Sequence, residues 1–337
     1  MHKIAAFTTT IPVEVVLASG YRPLDLNNIF VTDPSPSSLV EKAEFSGFAG
    51  SSCAWIKGLY SVLVSPEHNK DINVFIAVTE GDCSNAKVLE QIVAAETGIR
   101  TFIFNFPYFR EIDKMRSEIS RFAEFMGTDY ASCVRTWKEL SSLRRKLKII
   151  DETSYLFPGS VTGEENHLFL VSSSDFCGDP VEYEKKVDDF IKDLENRKRF
   201  ADPSRKKIAY LGVPPIVPIH AFLEERNATI VYNEIQREFA MLGEYPTIEE
   251  QYTNYTYPYS ASFRFEKAIA EIKKRNVDGI IHYVQSFCHR QLEDIILRRL
   301  LESTGLNIPL LTLEFDKPTN KIDARVATRI EAFLETI

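Results

Sequence analysis

Three of the five cysteines, Cys53, Cys83 and Cys288, occur in one setting: each follows a loop and stands where a helical pattern begins. That setting has chemical meaning, because the dipoles at a helix N-terminus lower a thiol's pKa toward the thiolate, which is both nucleophile and soft metal ligand. Cys288 follows an apolar run of strand length at 280–284 and a turn at 285–287. After it Leu292, Ile295, Ile296, Leu300 and Leu301 recur at helical spacing up to Gly305, and 309–313 reads as a further strand. Cys83 stands in the same frame: strand 72–78, loop, cysteine, helix, Gly98, strand 101–105. A thiol at the carboxyl end of a strand lies where open α/β sheets bind ligands. The remaining two differ. Cys133 shares an apolar helical face with Val134, Trp137 and Leu140 and reads as a packed core thiol, and Cys177, in a loop outside the repeated frame, reads as structural or incidental. Dispersed single cysteines are not a C-x-x-C signature, so spacing alone also allows three unliganded thiols. If the three converge, thiolates without an evident fourth protein ligand suit an iron–sulfur cluster with one open iron better than a closed structural zinc.

The elements that must position these thiols occur twice. Lys3-Ile-Ala-Ala-Phe7 before a Pro-started helix corresponds to Lys207-Ile-Ala-Tyr210 before another, and 80 positions separate Lys3 from Cys83 against 81 from Lys207 to Cys288. The expected fold is α/β: two Rossmann-like domains with parallel central sheets, related by this repeat. Residues 1–115 form the first domain with Cys53 and Cys83, 116–200 a helical linking segment, and 201–337 the second domain with Cys288. Within the first domain, 13–19 is helical and 24–30 extended. The Tyr-rich stretch 252–259 is irregular and serves packing or an interface. A closing helix at 323–337 carries Val326, Ile330, Phe333, Leu334 and Ile337 on one stripe.

Bulk properties narrow the partners. A chain of 337 residues with net charge −8 has the size of about two domains and no basic surface for nucleic acid; its one basic run, Arg144-Arg-Lys-Leu-Lys148, reads as a solvated helix face. No stretch approaches a membrane span and the N-terminus lacks a signal peptide's apolar core, so the expected location is cytoplasmic, with reduced cysteines. Gly47-Phe-Ala-Gly-Ser-Ser-Cys53 lacks the Gly-Lys-Ser/Thr ending of a phosphate-binding loop. Its small residues instead let something bulky approach the backbone at Cys53. His289 has two readings, a hydrogen bond to cluster sulfur or substrate, or a surface role. Arg264, near the place of Cys53 in the second repeat, either binds a carboxylate or phosphate or is a solvated arginine. His282 reads as a core histidine, and Glu314 and Asp316 end a strand at the ligand-facing edge.

The stretches Asp278-Gly-Ile-Ile-His-Tyr283, Phe287-Cys-His289, Ile308-Pro-Leu-Leu-Thr-Leu-Glu314-Phe-Asp316 and Thr328-Arg-Ile-Glu-Ala-Phe-Leu334 resemble the C-terminal signature of the 2-hydroxyacyl-CoA dehydratase family, which includes benzoyl-CoA reductase subunits and double-cubane-cluster proteins. Residues 74–87 resemble its first-half cysteine segment, Ser51-Ser-Cys53 its earliest cysteine, and Glu182-Tyr183 with the helical middle also fit. The resemblance implies a [4Fe-4S] cluster held by Cys53, Cys83 and Cys288. It also implies an ATP-hydrolysing activator that supplies one electron, ketyl-radical chemistry on an acyl-CoA thioester, and work as a homo- or heterodimer with a related subunit. Ala54-Trp55 follows Cys53 where many members have a Pro or a second Cys. The alternative expectation is a member that uses its cluster for electron transfer or other reduction without acyl-CoA dehydration.

Overall fold

The computed structural model describes residues 3–337. The chain divides into two compact units, Met1–Ser142 with Ser172–Tyr183 and Gly243–Tyr259, and Leu143–Val171 with Glu184–Leu242 and Ser260–Ile337. In chain order the first stretch is β1 (Ile4–Phe7), α1 (Val13–Ala18), β2 (Arg22–Asp25), α2 (Leu26–Thr32), α3 (Pro36–Phe45), α4 (Ala54–Val64), α5 (Pro66–Asn69), β3 (Ile72–Glu80), α6 (Ser84–Thr97) and β4 (Arg100–Asn105). The helices α7 (Ile112–Met126), α8 (Tyr130–Leu156), α9 (Gly163–Val171) and α10 (Pro180–Arg197) follow. The chain then runs through β5 (Lys206–Leu211), α11 (Ile219–Glu224), β6 (Ala228–Asn233), α12 (Glu234–Ala240), α13 (Ile248–Asn254), α14 (Ala261–Arg275), β7 (Gly279–Gln285), α15 (Glu293–Ser303), β8 (Leu310–Phe315) and α16 (Ala324–Glu335).

Each unit is built on one four-stranded sheet, in the order β2-β1-β3-β4 in the first and β6-β5-β7-β8 in the second, with every pairing parallel. The units are therefore Rossmann-like, and their strand orders correspond position by position. Helices cover both faces of such a sheet, so its central strands are apolar almost throughout rather than alternating. Ile-Asn-Val-Phe-Ile-Ala-Val in β3 and Gly-Ile-Ile-His-Tyr-Val in β7 show this, and every residue of β7 is buried. In the first unit α2, α3, α4 and α6 pack into one apolar cluster with Ala6, Phe75 and Ala77. In the second, α14 and α15 do the same against Ala209, Leu211 and Ile280.

Two stretches depart from the sequence reading in secondary structure, and in the basic run 144–148 Arg144 is buried at 6% exposure rather than solvated. Residues 24–30 are not one extended segment: β2 stops at Asp25, whose carboxylate caps α2 by accepting from the Asn27 N–H at 2.9 Å. An Asp at an N-cap with an apolar residue after it is a helix start, and that signal outweighs the β-propensity of Ile29, Phe30 and Val31. The Tyr-rich stretch is not wholly irregular either, since α13 runs through Asn254, capped by the Thr247 hydroxyl. Its tyrosines serve packing: Tyr252, Tyr255 and Tyr259 are buried in the first unit, where the Tyr252 hydroxyl donates to Glu14 at 2.6 Å. No described helix is long and apolar enough to cross a membrane.

Candidate functional site

In both sheets the chain leaves the first strand to one side (β2, β6) and returns on the other (β3, β7). The crevice at the carboxyl ends of the two middle strands is thus a topological switch point, where ligands bind in open α/β sheets. In each unit the third residue past the end of the returning strand is a cysteine: Cys83 after β3 and Cys288 after β7. Cys83 is the N-cap of α6, its carbonyl accepting from Ala86 N–H at 3.0 Å; Cys288 caps a 3-10 turn, His289–Leu292, that leads into α15, its carbonyl accepting from Gln291 N–H at 3.1 Å. Cys53 is the N-cap of α4, its carbonyl taking the Lys57 N–H at 3.2 Å. α4 leads toward the start of β3, so its own first turn stands at the carboxyl edge of that sheet.

Cys53 and Cys83 lie together in the apolar cluster of the first unit. Burial pushes the Cys83 thiol up to about 12; the Asp82 carboxylate and the neighbouring Cys53 add to this, while the Ala86 and Asn85 N–H groups work the other way. The expected lowering by the helix end is present here, but desolvation outweighs it. A metal binding at Cys83 therefore has to displace a proton. The approach to Cys83 is fixed by Gly81, at φ +99°, where a Cβ would stand 2.6 Å from the Pro258 Cβ. The approach to Cys53 is fixed by Lys57: its side chain is 1% exposed and its ammonium donates to the Gly50 carbonyl and to Glu44, both at 2.8 Å.

Around Cys288 the polar groups form a connected set. Phe287 stands at φ +62°, a left-handed conformation that an aromatic residue rarely adopts. Glu314 accepts from the Ser286 hydroxyl at 2.7 Å and the Gln291 amide at 3.0 Å, bracketing the cysteine on both sides. Arg264 is not a solvated arginine: it is buried, 2.8 Å from Glu234 and 2.5 Å from Glu293, and Glu293 also takes Arg290 at 2.9 Å. His289 is accessible, and desolvation together with the adjacent Arg290 charge lowers its pKa. His282 is buried and pairs through Nδ1 with Asp294 at 2.8 Å, in keeping with a core histidine. Cys133 is fully buried in α8 with its thiol pushed up to about 12 by burial, and Cys177 is exposed.

Helix register shows why the second unit has one such cysteine and the first has two. The N-cap of α14, the counterpart of α4, is Ser260 rather than a cysteine, and its hydroxyl accepts from Phe263 N–H at 3.4 Å. Arg264 therefore matches Lys57, not Cys53. Within each unit, no three described His, Cys, Asp or Glu side chains gather into a metal-holding group. A three-thiolate set requires Cys288 in addition to the pair Cys53 and Cys83. The donor chemistry fits a cluster, for each of the three sulfurs is carried by a residue whose following N–H groups favour bound anionic charge. Lys57 escaped the sequence reading, and Glu314 was placed at the ligand-facing strand edge without its hydrogen bonds around Cys288. Lys57 had a visible signal, the lone charge in the apolar helix Ala-Trp-Ile-Lys-Gly-Leu-Tyr-Ser-Val-Leu-Val; Glu314 had none beyond its place at a strand end.

The sequence profile of one family, described as 2-hydroxyglutaryl-CoA dehydratase, D-component, matches residues 8–337. Comparison with curated proteins gave no match. The match begins just after β1 and covers the rest of both units with all three N-cap cysteines, and the chain belongs to the 2-hydroxyglutaryl-CoA dehydratase D-component family.

Proposed function

We propose that the protein is an iron–sulfur dehydratase subunit in which Cys53, Cys83 and Cys288 hold a [4Fe-4S] cluster through three irons, the fourth iron staying open to a small ligand or to an acyl-CoA substrate. The observation that carries this reading is the shared placement of the three cysteines. All are N-caps, and two follow the returning strand of equivalent sheets at equal spacing. Bound there, the cluster would supply single electrons to a thioester carbonyl, the electrons coming from an ATP-hydrolysing activator protein. The chain's own residues supply the rest. N–H groups of Asn85 and Ala86 stabilise ligated thiolate at Cys83, and the exposed His289 imidazole offers a hydrogen-bonding group beside Cys288. Arg264 acts by holding Glu293 rather than by meeting substrate. A related or identical subunit completes the working dimer.

The test is anaerobic purification with iron and sulfide analysis of cysteine-to-alanine variants. Cys53→Ala, Cys83→Ala and Cys288→Ala should each strip the cluster or convert its spectrum, while Cys133→Ala and Cys177→Ala should leave iron content and spectrum as in the parent. Full iron and sulfide in Cys288→Ala would sink the proposal. Perturbation of the cluster's EPR spectrum by acyl-CoA thioesters then separates a substrate-meeting subunit from one that only passes electrons.

A further inference from the structure

The register of α4 against α14 places a cation at the same position in both units. Lys57 is the fourth residue of α4 and Arg264 the fourth of α14, and each side chain is 1% exposed. Burying a charged side chain is costly unless it is paired and hydrogen-bonded, so a cation recurring at one buried position in two units of otherwise different sequence has a reason to be there. The partners show the reason. Lys57 reaches back over its own helix start to the Gly50 carbonyl, inside the loop that delivers Cys53, and to Glu44 in the last turn of α3. The start of that loop is held by Phe48 against Tyr60 at 4.7 Å, but at Gly50 itself, where a Cβ would meet nothing, the Lys57 ammonium is the side-chain donor that reaches the backbone. Arg264 reaches forward to Glu293, the first residue of α15, which also takes Arg290 from the turn that Cys288 begins. Its other partner, Glu234, receives the Gly212 N–H at 2.9 Å, just past the end of β5.

We propose that Lys57 and Arg264 are equivalent positioning residues, each using a buried cation in the first turns of the corresponding helix to hold the backbone that presents a cysteine, Cys53 in one unit and Cys288 in the other. The proposal rests on the reading of those cysteines as ligands, but it concerns the order of the presenting backbone, which can be measured with or without metal. Substrate enters neither clasp. Each acts through the placement of a sulfur, so its loss should change cluster loading and spectrum while the fold is retained.

The experiment uses the full-length protein, as purified anaerobically and after chelation of iron, with Lys57→Met and Arg264→Met beside the conservative Lys57→Arg and Arg264→Lys. Hydrogen–deuterium exchange is followed at 47–53 and 286–293, with β3 and β7 as internal references. Removing the Lys57 ammonium from the Gly50 carbonyl and Glu44 should speed exchange at 47–53 about tenfold in Lys57→Met. β3 should stay near the parent rate, and Lys57→Arg should recover most of the protection. Arg264→Met should do the same at 286–293. In the iron-loaded protein the methionine variants should show altered EPR of the reduced cluster, restored by the conservative ones. Should Lys57→Met not fold, Glu44→Gln/Lys57→Met removes both charges together and carries the same measurement. Parent-like exchange at 47–53 in a folded methionine variant overturns the proposal, as does an unchanged spectrum in an iron-loaded one. A parent protein without iron defeats the cluster reading instead, and the exchange arm still decides the clasp.

Discussion

Asp25 and Asp175 form a buried carboxyl pair in the first unit, 2% and 4% exposed, and replacing Asp175 by Asn should change how that unit's stability depends on pH. Asp175 accepts the Asp25 N–H at 2.9 Å and the Cys177 N–H at 2.9 Å, yet its pKa is raised to about 7, first by burial and then by the Asp25 charge. Asp25 is raised as well, chiefly by burial, and Asp175 keeps its proton into the neutral range beside it. A folded-state pKa above the unfolded value means that the folded state binds more protons. The stabilising contribution is therefore complete at acid pH and is lost as pH rises through about 7. With 3.8 as the unfolded value, linkage gives a loss of roughly 2–3 kcal/mol between about pH 5 and pH 8. Asp175→Asn cannot ionise and should lack this slope, at the cost of about 1 kcal/mol for one acceptor lost at either N–H. Both tryptophans, Trp55 and Trp137, belong to the first unit, so urea denaturation followed by their fluorescence reports on it. The variant should start below the parent at pH 5 and overtake it by pH 8. Parallel stability profiles for the two proteins would refute the reasoning.

In the second unit, Asp151 is held at about 2 against the opposing effect of burial by Arg275 and Arg237, with Arg275 at 2.6 Å and Arg237 at 3.0 Å. Asp151→Asn removes the buried carboxylate shared by Arg275 and Arg237 and leaves them Glu271 and Glu238, so it should cost about 3 kcal/mol in thermal or urea unfolding. Its penalty should shrink as pH falls through about 2, where the parent aspartate protonates too. Gly58→Ala would set a methyl 2.3 Å from the Phe30 ring, which itself lies edge-on to Trp55 at 5.5 Å. Overpacking of about 1–3 kcal/mol exceeds the roughly 1 kcal/mol gained in helix propensity, so the variant should be less stable and its Trp55 emission shifted. Glu314→Ala frees Ser286 and Gln291 on either side of Cys288. Alkylation of Cys288 in metal-free protein should quicken several-fold while that of Cys83 stays as in the parent, a difference that mass spectrometry of the labelled peptides measures.

The duplication was readable in the sequence because it lies in features that depend on local order. Apolar runs buried on both faces mark β3 and β7, and Gly98 and Gly305 follow their helices at φ +64° and +66°. The N-cap positions of the cysteines could be counted from the start of each helical period. Helix versus strand at 26–32 could not, because Leu-Asn-Asn-Ile-Phe-Val-Thr suits either state until the Asp25 carboxylate turns onto the Asn27 N–H. The burial of the Tyr-rich stretch against Glu14 was equally out of reach, since the residues that touch stand 238 apart in sequence.

What the sequence alone determined is the type and order of the elements and which thiols stand at their starts, since propensity, capping and apolar period act within a few neighbours. What only the tertiary structure decided is the state of the charges around those thiols. Arg264, which by sequence is either a carboxylate or phosphate binder or a solvated arginine, becomes a buried partner of Glu234 and Glu293, and Cys83, which by position should ionise easily, holds its proton up to about 12. Both outcomes depend on how much water is excluded at a point and on which distant carboxylate or carbonyl arrives there. Desolvation and long-range pairing are properties of the packed chain, and no window of neighbouring residues contains them.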